Sequence, residues 1–222
     1  MSSSTSQRRA KSLGELCKKF VQLYADESHC VVSLDWTTAR LCVERRRIYD
    51  IINILECLDV VSRLGKNTYQ WNGLQRIPAT LKKLAEMDKV PPYRRDKSLG
   101  LLCLNFLHLF LHSQPVLSLK QAAACIADNC DEHQVKTKIR RLYDISNILV
   151  FLRLAEKSWT GSKAVYVWRG LAGFQAFAGA GDVQVWAPNC VVSTPCFDRL
   201  MASLVGCVRD SQRTPLAALR TA

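Results

Sequence analysis

Apolar residues recur at helical spacing through the first part of the chain. Residues 13–24 carry them on one face, and Ser12 followed by Glu15 gives the capping-box signature of a helix N-terminus. A shorter helix is predicted at about residues 34–41, and a third over "ERRRIYDIINIL" at residues 44–55. The β-rich runs "VVSRL" and "TYQWNG" follow, separated by "GKN", which indicates a hairpin. This stretch therefore predicts three helices and a β-hairpin.

The third predicted helix has an apolar face and a polar face. At about 100° per residue, one arc holds Ile48, Ile51, Ile52, Leu55 and Leu58. The opposite arc holds Arg46, Asp50 and Asn53, flanked by Arg47 and Tyr49. We expect the apolar arc to anchor the helix in the core, which leaves the arginines projecting outward.

The chain contains this pattern twice. Residues 11–24 align with 97–110 at eight of fourteen positions, and "RRIYDIINIL" aligns with "RRLYDISNIL" at eight of ten. "YQWNGL" at residues 69–74 aligns with "YVWRGL" at residues 166–171. In the second copy we expect a more deeply buried first helix, a second helix at about residues 119–127 and a hairpin around "WTGSK". Three collinear matches indicate a duplicated domain.

The predicted fold class is α+β, with two tandem winged helix-turn-helix domains of three helices and a β-hairpin wing each. The first domain covers residues 11–74 and the second residues 97–171. Residues 75–96 carry three prolines and form a linker with a helical turn or two, which leaves the domains free to dock or to occupy separate sites. Residues 172–222 match neither copy and are predicted to be a weakly ordered tail.

Composition narrows the function. A formal net charge of +12 favours an acidic partner, which means nucleic acid, an anionic membrane or an acidic protein. The polar, basic start predicts no secretory signal, and the longest apolar run, residues 99–111, is too short for a membrane helix. We expect no metal or cofactor, because the ten cysteines show no zinc-site spacing and His108 and His112 lack a third ligand. No nucleophile or phosphate-loop signature suggests an enzyme.

The repeated arginine pair is the candidate base-reading group. The guanidinium fork fits the O6 and N7 acceptors of guanine in the major groove, and the N-terminal part of a recognition helix meets base edges. The predicted base readers are Arg46, Arg47, Arg140 and Arg141. Asp50 and Asp144 are each expected to orient the arginine four residues earlier through an ion pair.

The remaining candidates carry weaker expectations. Tyr49 and Tyr143 are assigned either to a sugar or thymine methyl or to packing within the domain, and Asn53 and Asn147 either to phosphate or to a local turn. Phosphate contacts are predicted for Lys66 and Lys163 at the hairpin tips and for Arg45 and Lys138 where the third helices begin. Trp71 and Trp168, which end the wings, are expected in the core.

These residues resemble a known family. "VERRRIYDIINILECLDVVSRLGKNTYQW" is similar to the DNA-binding domain of the E2 promoter-binding factors (E-two-F and its DP partners), whose hallmark is Arg-Arg-x-Tyr-Asp. "SLGELCKKF" matches the first helix of that domain, and "KTKIRRLYDISNIL" resembles the second domain of the atypical, tandem-domain branch. The resemblance implies binding to GC-cored promoter sites such as TTTCCCGC in cell-cycle genes. It further implies repression without a DP partner, because two domains in one chain imitate a heterodimer.

Two hypotheses follow. The leading one is a nuclear transcription factor for double-stranded DNA, able to pair as a homodimer or with a related family member; "RRAK" at residues 8–11 favours nuclear import. The alternative is a winged-helix interaction protein that tethers or titrates a transcriptional partner without specific DNA readout. Salt-dependent preference for specific over scrambled DNA discriminates between them.

Overall fold

The computed structural model describes residues 12–25, 31–88, 99–126 and 132–179. The basic cluster at residues 8–11, the end of the predicted linker and the tail from residue 180 lie outside the described residues. Both predicted copies belong to one compact unit. Each copy forms a winged helix, so the predicted α+β class and the tandem arrangement are confirmed.

The first domain opens with helix α1 at Leu13–Ala25, and the backbone N–H of Glu15 donates to Ser12 Oγ at 3.2 Å, as the capping signature predicts. Strand β1 is Val31–Ser33, α2 is Leu34–Leu41 and α3 is Arg45–Cys57. The wing consists of β2 at Val61–Gly65 and β3 at Thr68–Trp71. A 3₁₀ turn at Leu74–Arg76 leads into α4 at Ile77–Ala85.

The second domain repeats the order with different lengths. Helix α5 is Leu99–His112, β4 is Val116–Leu117, α6 is Leu119–Ile126 and α7 is Glu132–Phe151. The second wing is longer, with β5 at Ala155–Thr160 and β6 at Lys163–Trp168, and α8 at Gly170–Gly179 ends the described chain. Helix α5 exposes only His112, so it is more deeply buried than α1, as its nearly continuous apolar sequence predicts.

Each wing belongs to a three-stranded antiparallel sheet, ordered β1-β3-β2 in the first domain and β4-β6-β5 in the second. The sequence predicts only the two wing strands; β1 and β4 were missed because two- and three-residue strands carry too little alternation to be recognised. The turns use Asn67 and Gly161 in the left-handed region, with φ of 60° at each. Trp71 lies near the Phe20 and Tyr24 rings, and Trp168 stacks on Phe110, which confirms their core assignment.

The two domains dock through exchanged helices. Helix α1 of the first domain packs against α7 of the second, and α5 of the second packs against α3 of the first. One hydrophobic cluster of buried side chains runs through both domains. Of the two arrangements that the sequence leaves open, the structure shows the docked one. Within the described residues no helix has the length and apolar character needed to cross a membrane.

Three regions depart from the sequence expectation. Helix α7 begins at Glu132, two turns before Arg140, so Lys138 lies inside a helix and not at its start. The segment after the first wing is a packed helix, α4, with Ile77 and Leu81 buried. The first part of the predicted tail is helical as well, because α8 buries Phe174 much as α4 buries Ile77.

Candidate nucleic-acid interface

The four predicted base-reading arginines line one open groove of about 890 Å³ between the two domains. Helices α3 and α7 supply its walls, and the start of α1 closes one end through Ser12 and Leu13. Docking thus brings Arg46, Arg47, Arg140 and Arg141 together although 94 positions separate equivalent members of the two pairs. A groove that gathers four guanidinium groups is suited to a polyanion with acceptor groups on its surface.

Two of these arginines form an ion-pair cluster across the domain boundary. Arg47 Nη1 lies 3.7 Å from Asp50 Oδ2 and 3.7 Å from Asp144 Oδ1. Arg141 Nη1 lies 3.5 Å from Asp50 Oδ2 and 3.8 Å from Asp144 Oδ2. Each arginine therefore contacts the acid of its own helix and the acid of the other domain. We call these four residues the Arg–Asp cluster.

The cluster corrects the predicted partners of the acids. The expected pairs of Asp50 with Arg46 and of Asp144 with Arg140, four residues apart, are wrong; both acids pair with the arginine three residues earlier. The reason is that Asp50 faces the other domain, and Arg47 shares that side of α3. Arg46 and Arg140 are exposed, and neither forms an ion pair with any residue that the structure describes. Their donor forks are therefore available to bases.

Asp50 is the most buried acid of the cluster, with 7% of its surface exposed, and its Oδ2 has no hydrogen-bond partner among the described residues. The sequence places it on the outward arc of α3, but docking covers that position. Burial raises the pKa of Asp50, the charge of Asp144 raises it further, and the positive charges of Arg141, Arg47 and Arg46 oppose the rise. The carboxylate is thus costly to the folded chain unless its arginines stay close.

The two tyrosines of the repeated motif differ in environment. Tyr49 is half-buried and its hydroxyl donates to Asn67 Oδ1 in the first wing turn at 2.6 Å, which satisfies the packing alternative. Tyr143 is 46% exposed, and the Lys157 ammonium lies 5.9 Å from its ring centroid. Only Tyr143 therefore offers a ring face to a ligand.

The asparagines of the motif lie beside the docking surface. Asn53 and Asn147 are both half-buried, and Asn147 also lines the groove. The backbone of Asn147 lies directly under Gly14 of α1, where an added Cβ would come within 2.5 Å of the Asn147 carbonyl oxygen. The positions thus serve helix packing as well as any contact with phosphate.

The predicted phosphate-contacting residues are dispersed. Lys66 and Lys163 are exposed at the wing turns, as their sequence positions imply. Arg45 forms an ion pair with Asp35 of α2, with 2.8 Å between Nη1 and Oδ1, which ties the two helices of the first helix-turn-helix together. Lys138 donates to Ile126 O at 3.5 Å and so covers the end of α6.

Sequence reasoning missed the residues that allow docking. Gly14 and its repeat counterpart Gly100 are both buried in the first turns of α1 and α5. Gly14 meets α7, while Gly100 O accepts a hydrogen bond from Cys57 Sγ of α3 at 3.3 Å. The repeated Ser-Leu-Gly was the available signal, because a glycine early in a helix gives no local advantage over alanine.

The histidine pair gives no sign of a metal centre. His108 and His112 stack with ring centroids 4.2 Å apart, and His112 Nε2 lies 3.3 Å from the carbonyl oxygen of Leu84 in α4. The part of the chain that the structure describes holds no group of three or more potential metal ligands.

Comparison with known proteins identifies the same two regions. The model of the E-two-F/DP family winged-helix DNA-binding domain matches residues 9–73 and again residues 95–170, which is more than half of the chain. Over 217 residues the chain is 36% identical to Transcription factor E2F7 of Danio rerio, covering 80% of this chain. It is 34% identical over 230 residues to the transcription factor-like protein E2FE of Arabidopsis thaliana, covering 79%.

A third relative, the transcription factor-like protein E2FF of Arabidopsis thaliana, is 34% identical over 220 residues and covers 76% of this chain. The matches extend over 30% of the Danio protein's own length and over 57% and 62% of the two Arabidopsis proteins. The similarity therefore spans both winged helices but only part of each relative.

Proposed function

Because the chain belongs to the E-two-F/DP family of winged-helix DNA-binding domains, we propose that it is a sequence-specific transcription factor whose two domains read one DNA site together. The observation that carries the proposal is the single groove lined by Arg46, Arg47, Arg140 and Arg141. Arginine is the residue best suited to guanine in the major groove, and the net charge of +12 favours association with the duplex.

Division of work within the groove follows from the ion pairs. Arg46 and Arg140 are exposed and are assigned the primary base contacts. Arg47 and Arg141 are held by the Arg–Asp cluster, so each reaches the bases from a position fixed by both domains. Fixing a guanidinium before binding reduces the conformational entropy that its contact costs.

The docked arrangement also supports independence from a DP partner. The surfaces of α1, α3, α5 and α7 that meet across the domain boundary are occupied by the other domain of the same chain. A separate partner would have to displace a shared hydrophobic core before it could take the same place. One chain thus supplies both halves of a heterodimer-like reader, and a homodimer or a related family member would have to associate through other surfaces.

The remaining parts of the proposal come from family membership. They are nuclear localisation, recognition of GC-cored sites of the TTTCCCGC type in cell-cycle promoters, and repression of those promoters. No enzymatic activity is proposed. Relatives named as transcription factors in a fish and a plant support regulation of transcription as the general role.

The test uses the two arginines that form no ion pair within the described residues, so that base reading is changed with little effect on docking. Arg46→Ala and Arg140→Ala should each reduce affinity for a GC-cored duplex about tenfold or more, while affinity for a scrambled duplex falls much less. Fluorescence anisotropy at one fixed salt concentration measures both. Lys83→Ala, on the exposed side of α4 and outside the groove, is the control with the same change of charge.

Wild-type affinity for the GC-cored site from both arginine variants would show that the groove is not the reading surface. No preference of the wild-type chain for that site over scrambled DNA would instead favour the interaction protein.

A further inference from the structure

The second wing carries an aromatic side chain that neither the core nor the groove uses. Trp159 on β5 is 63% exposed, and the corresponding wing of the first domain presents Leu64, a smaller side chain, at 51%. Trp159 is not among the residues that line the groove. A tryptophan left in solvent offers a large rigid surface at low conformational cost, which is why this residue is enriched at binding surfaces.

Strand alternation shows which way Trp159 faces. Residues two apart on a strand share a face, so Ala155, Lys157 and Trp159 lie on one side of β5. Ala155 is buried at the base of that side, and Lys157 lies beside Tyr143 of α7. Trp159 therefore faces the same side of the second domain as the exposed ring of the reading helix.

Lys157 joins the two rings. Its Nζ lies 5.9 Å from the Tyr143 centroid and 5.1 Å from the Trp159 centroid, both within the range of a cation–π contact. The three residues form a continuous exposed strip from α7 to the wing, here called the wing strip.

The charge of the wing favours a polyanion. Lys157 gives the strip a positive charge and Lys163 adds another near the turn. The acid of this wing, Glu156, lies on the other face of β5, where its Oε2 is 2.7 Å from Arg169 Nη2. No carboxylate of β5 or β6 thus competes with phosphate on the face that carries Trp159.

Reach decides which part of the duplex the strip meets. Each strand residue advances about 3.4 Å, so the end of β5 extends about 10 Å beyond Lys157. With α7 in the major groove, that distance carries Trp159 past the bases that Arg140 reads and over the neighbouring sugar–phosphate backbone.

We propose that Trp159, supported by Lys157 and Tyr143, packs on the deoxyribose and phosphate backbone of the DNA that flanks the second domain's half of the site. The contact lengthens the bound region on that side and adds affinity without selecting a base. This inference rests on the proposed function, because it requires the four-arginine groove to hold the duplex. The described first wing exposes no large aromatic ring, so the bound region is asymmetric.

Footprinting of the full chain on a GC-cored duplex with about 10 base pairs of flank on each side tests the proposal. Trp159→Ala should lose backbone protection on one flank only and weaken binding about tenfold. On a duplex without that flank, the variant and wild type should bind equally. Trp159→Phe should retain most of the protection, because it keeps an aromatic ring.

Leu64→Ala in the first wing is the matched control and should leave both flanks unchanged. A Trp159→Ala variant with wild-type affinity and wild-type protection of both flanks would overturn the proposal, even where Arg46→Ala and Arg140→Ala lose binding as expected. Loss of protection over the core site as well as the flank would also overturn it, since the ring would then act on the groove or the fold. A wild-type chain without preference for the site would refute the proposed function itself.

Discussion

Helices α3 and α7 carry the same Arg-Arg-x-Tyr-Asp motif and the same apolar stripe, yet their surroundings differ. The first begins at Arg45, immediately before its arginine pair, whereas the second begins at Glu132 and carries its pair in the middle. Tyr49 is bonded to its own wing, whereas Tyr143 is open beside a longer wing. The difference teaches that docking and arginine placement are shared by the two copies, while the wing side of each helix has taken a separate role.

The largest effect is expected from breaking the docking that both helices share. Gly14→Ala places a Cβ within 2.5 Å of the Asn147 carbonyl oxygen, so α1 must move away from α7. We expect a loss of about 3 kcal/mol in the free energy of unfolding, although alanine is the better helix former. Chemical denaturation measures it. Gly65→Ala is the control, because its Cβ meets nothing within 4 Å; equal stability of the two variants would contradict the tight contact.

The Arg–Asp cluster offers a smaller and more selective perturbation. Asp50→Asn removes the buried carboxylate that orients Arg47 and Arg141, so preference for the GC-cored over a scrambled duplex should fall about tenfold. Binding competition measures that preference. Asp35→Asn, in an exposed ion pair with Arg45, changes the net charge equally and should leave the preference intact. A retained preference in Asp50→Asn would remove the cluster from the reading mechanism.

Stability of the same variant should depend on pH. Burial raises the pKa of Asp50 above its ordinary value of 3.8, so the folded chain binds the proton more tightly than the unfolded chain. The stabilising contribution of the protonated acid is present below pH 3.8 and is lost as pH rises through the raised pKa. Asp50→Asn should therefore gain stability relative to wild type as pH increases over that window, which denaturant unfolding at several pH values measures. A difference that shrinks with pH would contradict the raised pKa.

The smallest effect should separate the two tyrosines. Tyr49→Phe removes the hydrogen bond to Asn67 and should cost about 1 kcal/mol of stability, because it leaves a half-buried amide oxygen without its partner. Tyr143→Phe removes an exposed hydroxyl and should change stability by less than about 0.5 kcal/mol. Thermal or urea unfolding of both variants provides the comparison. Equal costs would show that the two environments are more alike than described.

Local pattern predicts most of the fold and little of the docking. The capping residue Ser12 and the apolar spacing of α1 to α3 are signals within a few residues, so these helices and the wings can be read from sequence. The start of α7 was misplaced because the first copy served as its template. Gly14 and Asp50 were beyond prediction, since their roles depend on a surface supplied by the other domain.

The family and the four arginines were likewise accessible from the repeated motif, because the same residue types recur at the same spacing. Which arginine each acid holds was not accessible. It depends on the angle at which α3 meets α7, and that angle is set by packing between residues far apart in sequence.

The central claim is that docked domains of one chain read a single site, and the spacing of the site tests it most directly. Inserting about 5 base pairs between the two halves of the GC-cored site rotates one half by half a helical turn. Affinity of the full chain for the altered duplex should fall to the level of scrambled DNA, because the shared core fixes the distance between Arg46 and Arg140. Retained specific affinity would contradict the account, since it would mean that the two domains separate and bind independently.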